Sequence, residues 1–130
     1  TRAPVYTTLW SAADEHSSAH IALADWADVV VVAPATADII GKVAHGICDD
    51  LLSTTLCVCW AKPTLLAPAM NSRMWASPIV QANVQTLTKL GCQMVGPGTG
   101  RLACGTEGAG RMAEPSEILA AIEVLAGKNP

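Results

Sequence analysis

The sequence predicts an α/β domain, a parallel sheet with helices on both faces. Three observations carry that expectation. Residues 29–32 read VVVV, a continuous β-branched run between Asp28 and Pro34; a strand with no polar alternation is one buried on both faces. Such runs alternate with segments of helical period joined by short connections, the pattern of a parallel sheet. Finally, Ser, Asp, Pro and Gly fall where helix ends favour them.

Taken in order, residues 1–16 (TRAPVYTTLWSAADEH) show no period and begin abruptly. Residues 17–27 suit a helix, with Ser17 or Ser18 as its N-cap. The run at 29–32 follows as a central parallel strand. Residues 35–46 (ATADIIGKVAHG) form a helix stopped by Gly46. The segment DDLLSTTLCVCW is ambiguous between helix and strand, and the aspartates at its start favour helix. PTLLAPA (63–69) is a second buried strand. In the helix at 77–91, Ser77 caps, Pro78 takes the first turn, Val80, Val84 and Leu87 share a face, and Gly91 ends it. CQMVGP (92–97) is a third strand, GTGRLACGTEGAGRM (98–112) a long loop, and residues 114–127 a closing helix. Three strands make a thin sheet, so one or two more are expected.

The 130 residues are 51% apolar and only 15% charged, against the usual quarter. Part of the surface is therefore expected to be covered by subunits or by a flat cofactor. A net charge of −3 without basic runs argues against nucleic-acid binding. No apolar run approaches the ~20 residues of a membrane span, and no leader is evident, so the expected location is the cytoplasm. Five cysteines form no CxxC pair, which suits reduced thiols and no metal site.

In such a sheet, ligands bind at the carboxyl ends of the strands, here APAT (33–36), APAMN (67–71) and the loop after VGP (95–97). Asn71 ends a strand, where a neutral amide can donate to a carboxylate while accepting from an N–H; it is equally a turn former. His20 lies early in a helix, a place more often structural than catalytic. Cys104 lies among glycines, suited to neither core packing nor zinc. Gly105, Gly108 and Gly110 open no helix and lack the lysine of a phosphate loop. They suggest a flap. An ordinary thiol is roughly 3% ionised at pH 7, so Cys104 is a stocked proton donor. Arg101 and Arg111 nearby could lower its pKa or hold an anion, which leaves acid and nucleophile both open. Cys48, Cys57, Cys59 and Cys92 read as structural filler, and Trp10, Trp26, Trp60 and Trp75 as core or subunit contacts.

Four stretches together resemble one family, the homo-oligomeric FMN-dependent cysteine decarboxylases. HIALADWADVVVVAPATADIIGKVAHGICDDLLSTT (20–55) is similar to their central part, APAMNSRMW (67–75) to their PxMNxxMW signature, and PVYTTLW (4–10) to the segment before the family's helix. LACGTEGAGRMAEP (102–115) resembles the flap of the phosphopantothenoylcysteine decarboxylases, which in bacteria are one domain of a bifunctional coenzyme A biosynthesis protein. The likeness runs from Pro4 to Val124.

The resemblance implies a Rossmann-like or flavodoxin-like single domain over residues 1–130, lacking the family's N-terminal strand and Gly/Ser turn. It implies FMN as cofactor, contacted at Thr36, Ala37, Asp38, Ile39 and Ala69. His20, Asn71 and Cys104 are the implied catalytic residues, and Asn71, Met74, Ala103 and Cys104 the substrate contacts. The implied reaction converts 4′-phosphopantothenoylcysteine to 4′-phosphopantetheine. Oxidation at the thiol-bearing carbon gives a thioaldehyde, loss of CO2 gives an enethiol, and return of hydride with a proton from Cys104 completes it. Peptidyl-cysteine decarboxylases share PxMN but lack the LACG cysteine and stop at the enethiol, so oxidative decarboxylation of a peptide is the alternative reaction. A non-catalytic regulatory subunit of this fold is the other alternative. The family further implies a trimer or dodecamer and a CTP-dependent ligase domain, fused or separate. One departure is Asp38, where the family has asparagine. A carboxylate there would repel phosphate, so Asp38 is expected to face the flavin ring or ribityl chain.

Overall fold

A computed structural model describes residues 2–9, 19–101 and 107–127. Its elements run α1 (Ala19–Trp26), β1 (Val30–Ala35), α2 (Ala37–His45), α3 (Leu51–Val58) with a 3-10 turn at Cys59–Ala61, β2 (Thr64–Pro68), α4 (Ser72–Ala76), α5 (Pro78–Lys89), β3 (Gln93–Met94), β4 (Gly98–Arg101), β5 (Glu107–Arg111) and α6 (Pro115–Leu125).

Strands β1, β2 and β3 form a parallel sheet in that order, with Val31 opposite Leu65 and Leu66 opposite Met94. The five residues of β2 are all buried. Because side chains alternate across a strand, neighbours in β2 serve two cores. Leu66 joins Val32, Ile39, Ile40, Leu56 and Leu87 on the face covered by α2, α3 and α5. Leu65 and Ala67 meet Ala113 and Ile118 on the face covered by α6. Helices thus cover both faces, as expected.

β2, not the VVVV strand, is the middle strand of the three. β1 lies at an edge among the described residues, and Val30 and Val31 are only half-buried. The one or two further strands expected do not join this sheet among the described residues. Pro34, which has no N–H to give a ladder, coincides with the register shift between Val32 and Ala35.

Local chemistry explains the helices. Thr36 caps α2 by accepting from the Ile39 N–H at 3.3 Å. Gly46 closes α2 at φ 70°, its N–H reaching the carbonyls of Lys42 and Val43. At α3, Asp50 and Ser53 form a reciprocal capping box, with Asp50 Oδ1 accepting from the Ser53 N–H at 2.7 Å. That box decides the ambiguous segment for helix.

Three local expectations are corrected. Ser77 stands at the start of α5 but makes no side-chain capping bond; its backbone N–H instead closes α4 on the Met74 carbonyl. Pro78 also removes one of the amides a cap would serve. Residues 98–112, expected as loop, contain an antiparallel ribbon of β4 and β5. Its glycines leave too few side chains to show an alternating pattern. The short helix α4 was not foreseen. No helix among the described residues is long and apolar enough to cross a membrane.

Candidate active site

The turns that follow β1 and β2 lie side by side. Ala35 pairs in register with Pro68, and the Ala69 N–H donates to the Ala35 carbonyl at 3.0 Å. This brings Thr36 and Ala37, at the start of α2, beside Ala69, Met70 and Asn71. The first turn of a helix leaves amide hydrogens unpaired and carries partial positive charge, a natural seat for an electron-rich ligand. Thr36 is exposed at this edge, whereas Ile39 is buried and anchors the turn in the core.

Asp38 does not stand loose in the site. Its carboxylate lies 3.3 Å from Lys42 one turn on, and the same ammonium reaches Asp49 and Asp50, each at 3.0 Å. The hydrogen bonds to Asp49 and Asp50 hold Lys42 well above the ordinary lysine range. Asp50 in turn is held down to about 2, first by Ser53 and then by Lys42. Asp38 thus carries an ion pair along α2 while its side chain stays largely exposed at the start of that helix.

Asn71 is the N-cap of α4, its Oδ1 accepting from the Arg73 N–H at 2.8 Å. That bond orients the amide and assigns acceptor duty to the oxygen, leaving Nδ2 as the donor end of the group. The turn-forming role is therefore present. Met74, on the same helix, is exposed.

The ribbon is fastened to this corner. The Met70 N–H donates to the Gly110 carbonyl at 2.9 Å. Gly110 has φ 129°, and a Cβ there would collide with the Met70 carbonyl oxygen. At Gly108 a Cβ would come within 3.1 Å of the Ser72 Cβ. Glycine is required here for close approach, not only for flexibility. Ala103 and Cys104 lie between the two ribbon strands, outside the described residues. Arg111, considered above as an aid to the thiol, pairs with Glu114 at 3.2 Å.

His20 comes from α1, which packs on α3. Its Nδ1 is buried and has no hydrogen-bond partner among the described residues, a state that calls for a missing partner. The cysteines divide. Cys59 is buried and Cys92 half-buried, with burial pushing both thiols up. Cys48 and Cys57 are exposed, so the filler reading fails for them. Trp26 and Trp60 are exposed as well, which removes them from the core. Among the described residues no cluster of three metal-type ligands exists.

Sequence reasoning missed the Lys42 hub and the clamp of Gly110 on Met70. An Asp four residues before a Lys hinted at the first; nothing local pointed to the second.

The Flavoprotein family pattern matches residues 1–127. The chain belongs to that family. This family member is 46% identical, over 132 aligned positions, to the coenzyme A biosynthesis bifunctional protein CoaBC of Vibrio cholerae, covering 97% of the chain and 33% of the relative. It is 44% identical over 108 positions to a phosphopantothenoylcysteine decarboxylase of Malus domestica, covering 82% and 50%. It therefore spans a third to a half of the length of these curated relatives. Among solved structures it resembles a mutant PPC decarboxylase complexed with pantothenoylaminoethenethiol, with TM-score 0.84, 38% identity and coverage of 92% and 68%. It also resembles an FMN binding protein, with TM-score 0.81, 37% identity and coverage of 96% and 70%.

Proposed function

We propose that residues 1–130 form one decarboxylase domain that converts 4′-phosphopantothenoylcysteine to 4′-phosphopantetheine with FMN as cofactor. The observation that carries this reading is the fastening of the ribbon flanking Cys104 onto the Met70–Asn71 corner, together with relatives that bear the decarboxylase name.

The residues present suit a flavin. Two strand-end turns meet at Thr36 and Ala69, a helix start supplies amide hydrogens, and His20 offers a buried nitrogen without a partner among the described residues. Thr36, Ala37, Asp38, Ile39 and Ala69 would form the cradle, with the charge of Asp38 offset by Lys42. When bound, FMN would supply the electron sink that takes up and returns a hydride equivalent.

The chain's own residues do the rest. The donor end of Asn71 holds the substrate carboxylate, with Met74 and Ala103 beside the substrate. Oxidation of the thiol-bearing carbon to a thioaldehyde lets the C=S bond accept the electrons released as CO2 leaves. The resulting enethiol becomes product only when one carbon regains the hydride equivalent and the other receives a proton. Cys104, protonated at neutral pH, delivers it from the flap, which also keeps water from the thioaldehyde. His20 supplies the hydrogen bond, or the base, at the flavin.

Cys104→Ser in flavin-loaded protein should abolish 4′-phosphopantetheine formation while an enethiol accumulates, read by mass spectrometry. Parental turnover in that variant would overturn the proton-donor role. If the parent itself released enethiol from cysteine-ending peptides, the peptide reaction would replace this one. Colourless protein after reconstitution with FMN would point to the non-catalytic reading. The low charge content supports a trimer or dodecamer, and the much longer bifunctional relatives support a ligase domain as neighbour. The cytoplasm is the compartment such a pathway enzyme needs.

A further inference from the structure

The opposite end of the sheet holds a second concavity that the proposed chemistry does not use. It opens beside Thr64, the first residue of β2, and Cys92, just before β3, with a volume of about 470 Å³. That lies within the range of small-molecule sites. Its apolar wall includes the core residues Leu56, Leu66 and Leu87. Trp60 and Leu90 line it too and are 84% and 72% exposed, unusual for large apolar side chains unless something covers them.

Its lining has one formal charge. Lys62 contributes to it, and no Asp or Glu does. The ion pairs among the described residues involve Lys42 and Arg111, not Lys62. Cys92, which also lines the cleft, is kept a neutral thiol by burial. An apolar trough with a single uncompensated ammonium selects a ligand with one negative end and a hydrocarbon body.

We propose that this cleft binds a small apolar monocarboxylate, of medium-chain fatty-acid type, with the chain against Leu56, Leu66 and Leu87 and the carboxylate on Lys62. The site is separate from the flavin corner and does not depend on the decarboxylase reading.

Calorimetric titration of the full chain with hexanoate, octanoate and decanoate, each below its micelle concentration, tests this. Affinity should rise about fourfold per added methylene, the value of burying one CH2. Lys62→Gln should weaken octanoate about tenfold, as expected for one charge-assisted hydrogen bond, and leave 1-octanol unchanged. Trp60→Ala, a change at an exposed position, should weaken acid and alcohol alike. The proposal is overturned by equal affinity of the parent for octanoate and octanol, by no dependence on chain length, or by no saturable heat. Displacement of bound FMN by octanoate would also overturn it, because the acid would then occupy the other end of the sheet.

Discussion

Gly110 joins the ribbon to the turn after β2, and its conformation and surroundings act together. At φ 129° a side chain is strained, and the Cβ would enter the space of the Met70 carbonyl oxygen. Gly110→Ala should therefore cost about 1–3 kcal/mol from backbone strain alone, and more through loss of the Met70 N–H bond. Urea unfolding measures the first. A fall in turnover greater than the stability loss explains would report a displaced ribbon. Gly108→Ala should do less, since no left-handed φ is required there and its added Cβ would meet Ser72 Cβ at 3.1 Å and no backbone carbonyl. Asn71 acts at the residue scale too, its amide oxygen starting α4 by accepting from the Arg73 N–H.

Helix ends govern the elements. Asp50→Ala removes the side-chain half of the α3 capping box, the acceptor for the Ser53 N–H, and should cost about 0.5–2 kcal/mol. Its pH dependence has a definite sign. The carboxyl is held down to about 2 in the folded chain, against about 3.9 unfolded. The stability it contributes is therefore complete above roughly pH 5 and lost as pH falls toward 2. Being partly exposed and screened, the contribution is small. The gap in urea midpoint between parent and Asp50→Ala should narrow as pH is lowered from 6 to 3, the carboxyl being held down to about 2. A gap that stays constant would mean that the charge of Asp50 contributes nothing. In α2, Gly41 is an interior glycine whose added Cβ would meet only Asn83 Nδ2 at 3.6 Å, an ordinary contact. Gly41→Ala should raise stability by about 0.5–1 kcal/mol, seen as a higher unfolding midpoint.

For the molecule as a whole, the two ends of the sheet are assigned different work. The carboxyl ends gather Thr36, Ala69, Asn71 and the ribbon, while the amino ends hold the cleft near Lys62. Burial is greatest at β2 between them. Lys42 links α2 to the cap of α3 through two carboxylates, Asp49 and Asp50, tying the start of the candidate site to a helix on which α1, the helix that carries His20, packs. If that linkage positions His20, then Lys42→Met should weaken FMN binding more than Lys42→Arg does, in a fluorescence titration of bound against free flavin. Equal affinities would confine Lys42 to a structural role.

Much of this was legible in the residues. Apolar runs and helix-end residues specified the α/β class, the parallel strands and most helix boundaries, because period and capping are local properties. The PxMNxxMW and LACG stretches pointed to the family, because so specific a combination of residues can be read without any knowledge of contacts. Tertiary structure alone decided which strand is central, since burial depends on neighbours distant in the chain. It alone made a ribbon from glycines that show no period, joined Lys42 to Asp49 and Asp50 beyond its own helix, and left Cys57, Trp26 and Trp60 exposed. Each outcome depends on how the folded elements pack, which a local period or cap does not encode.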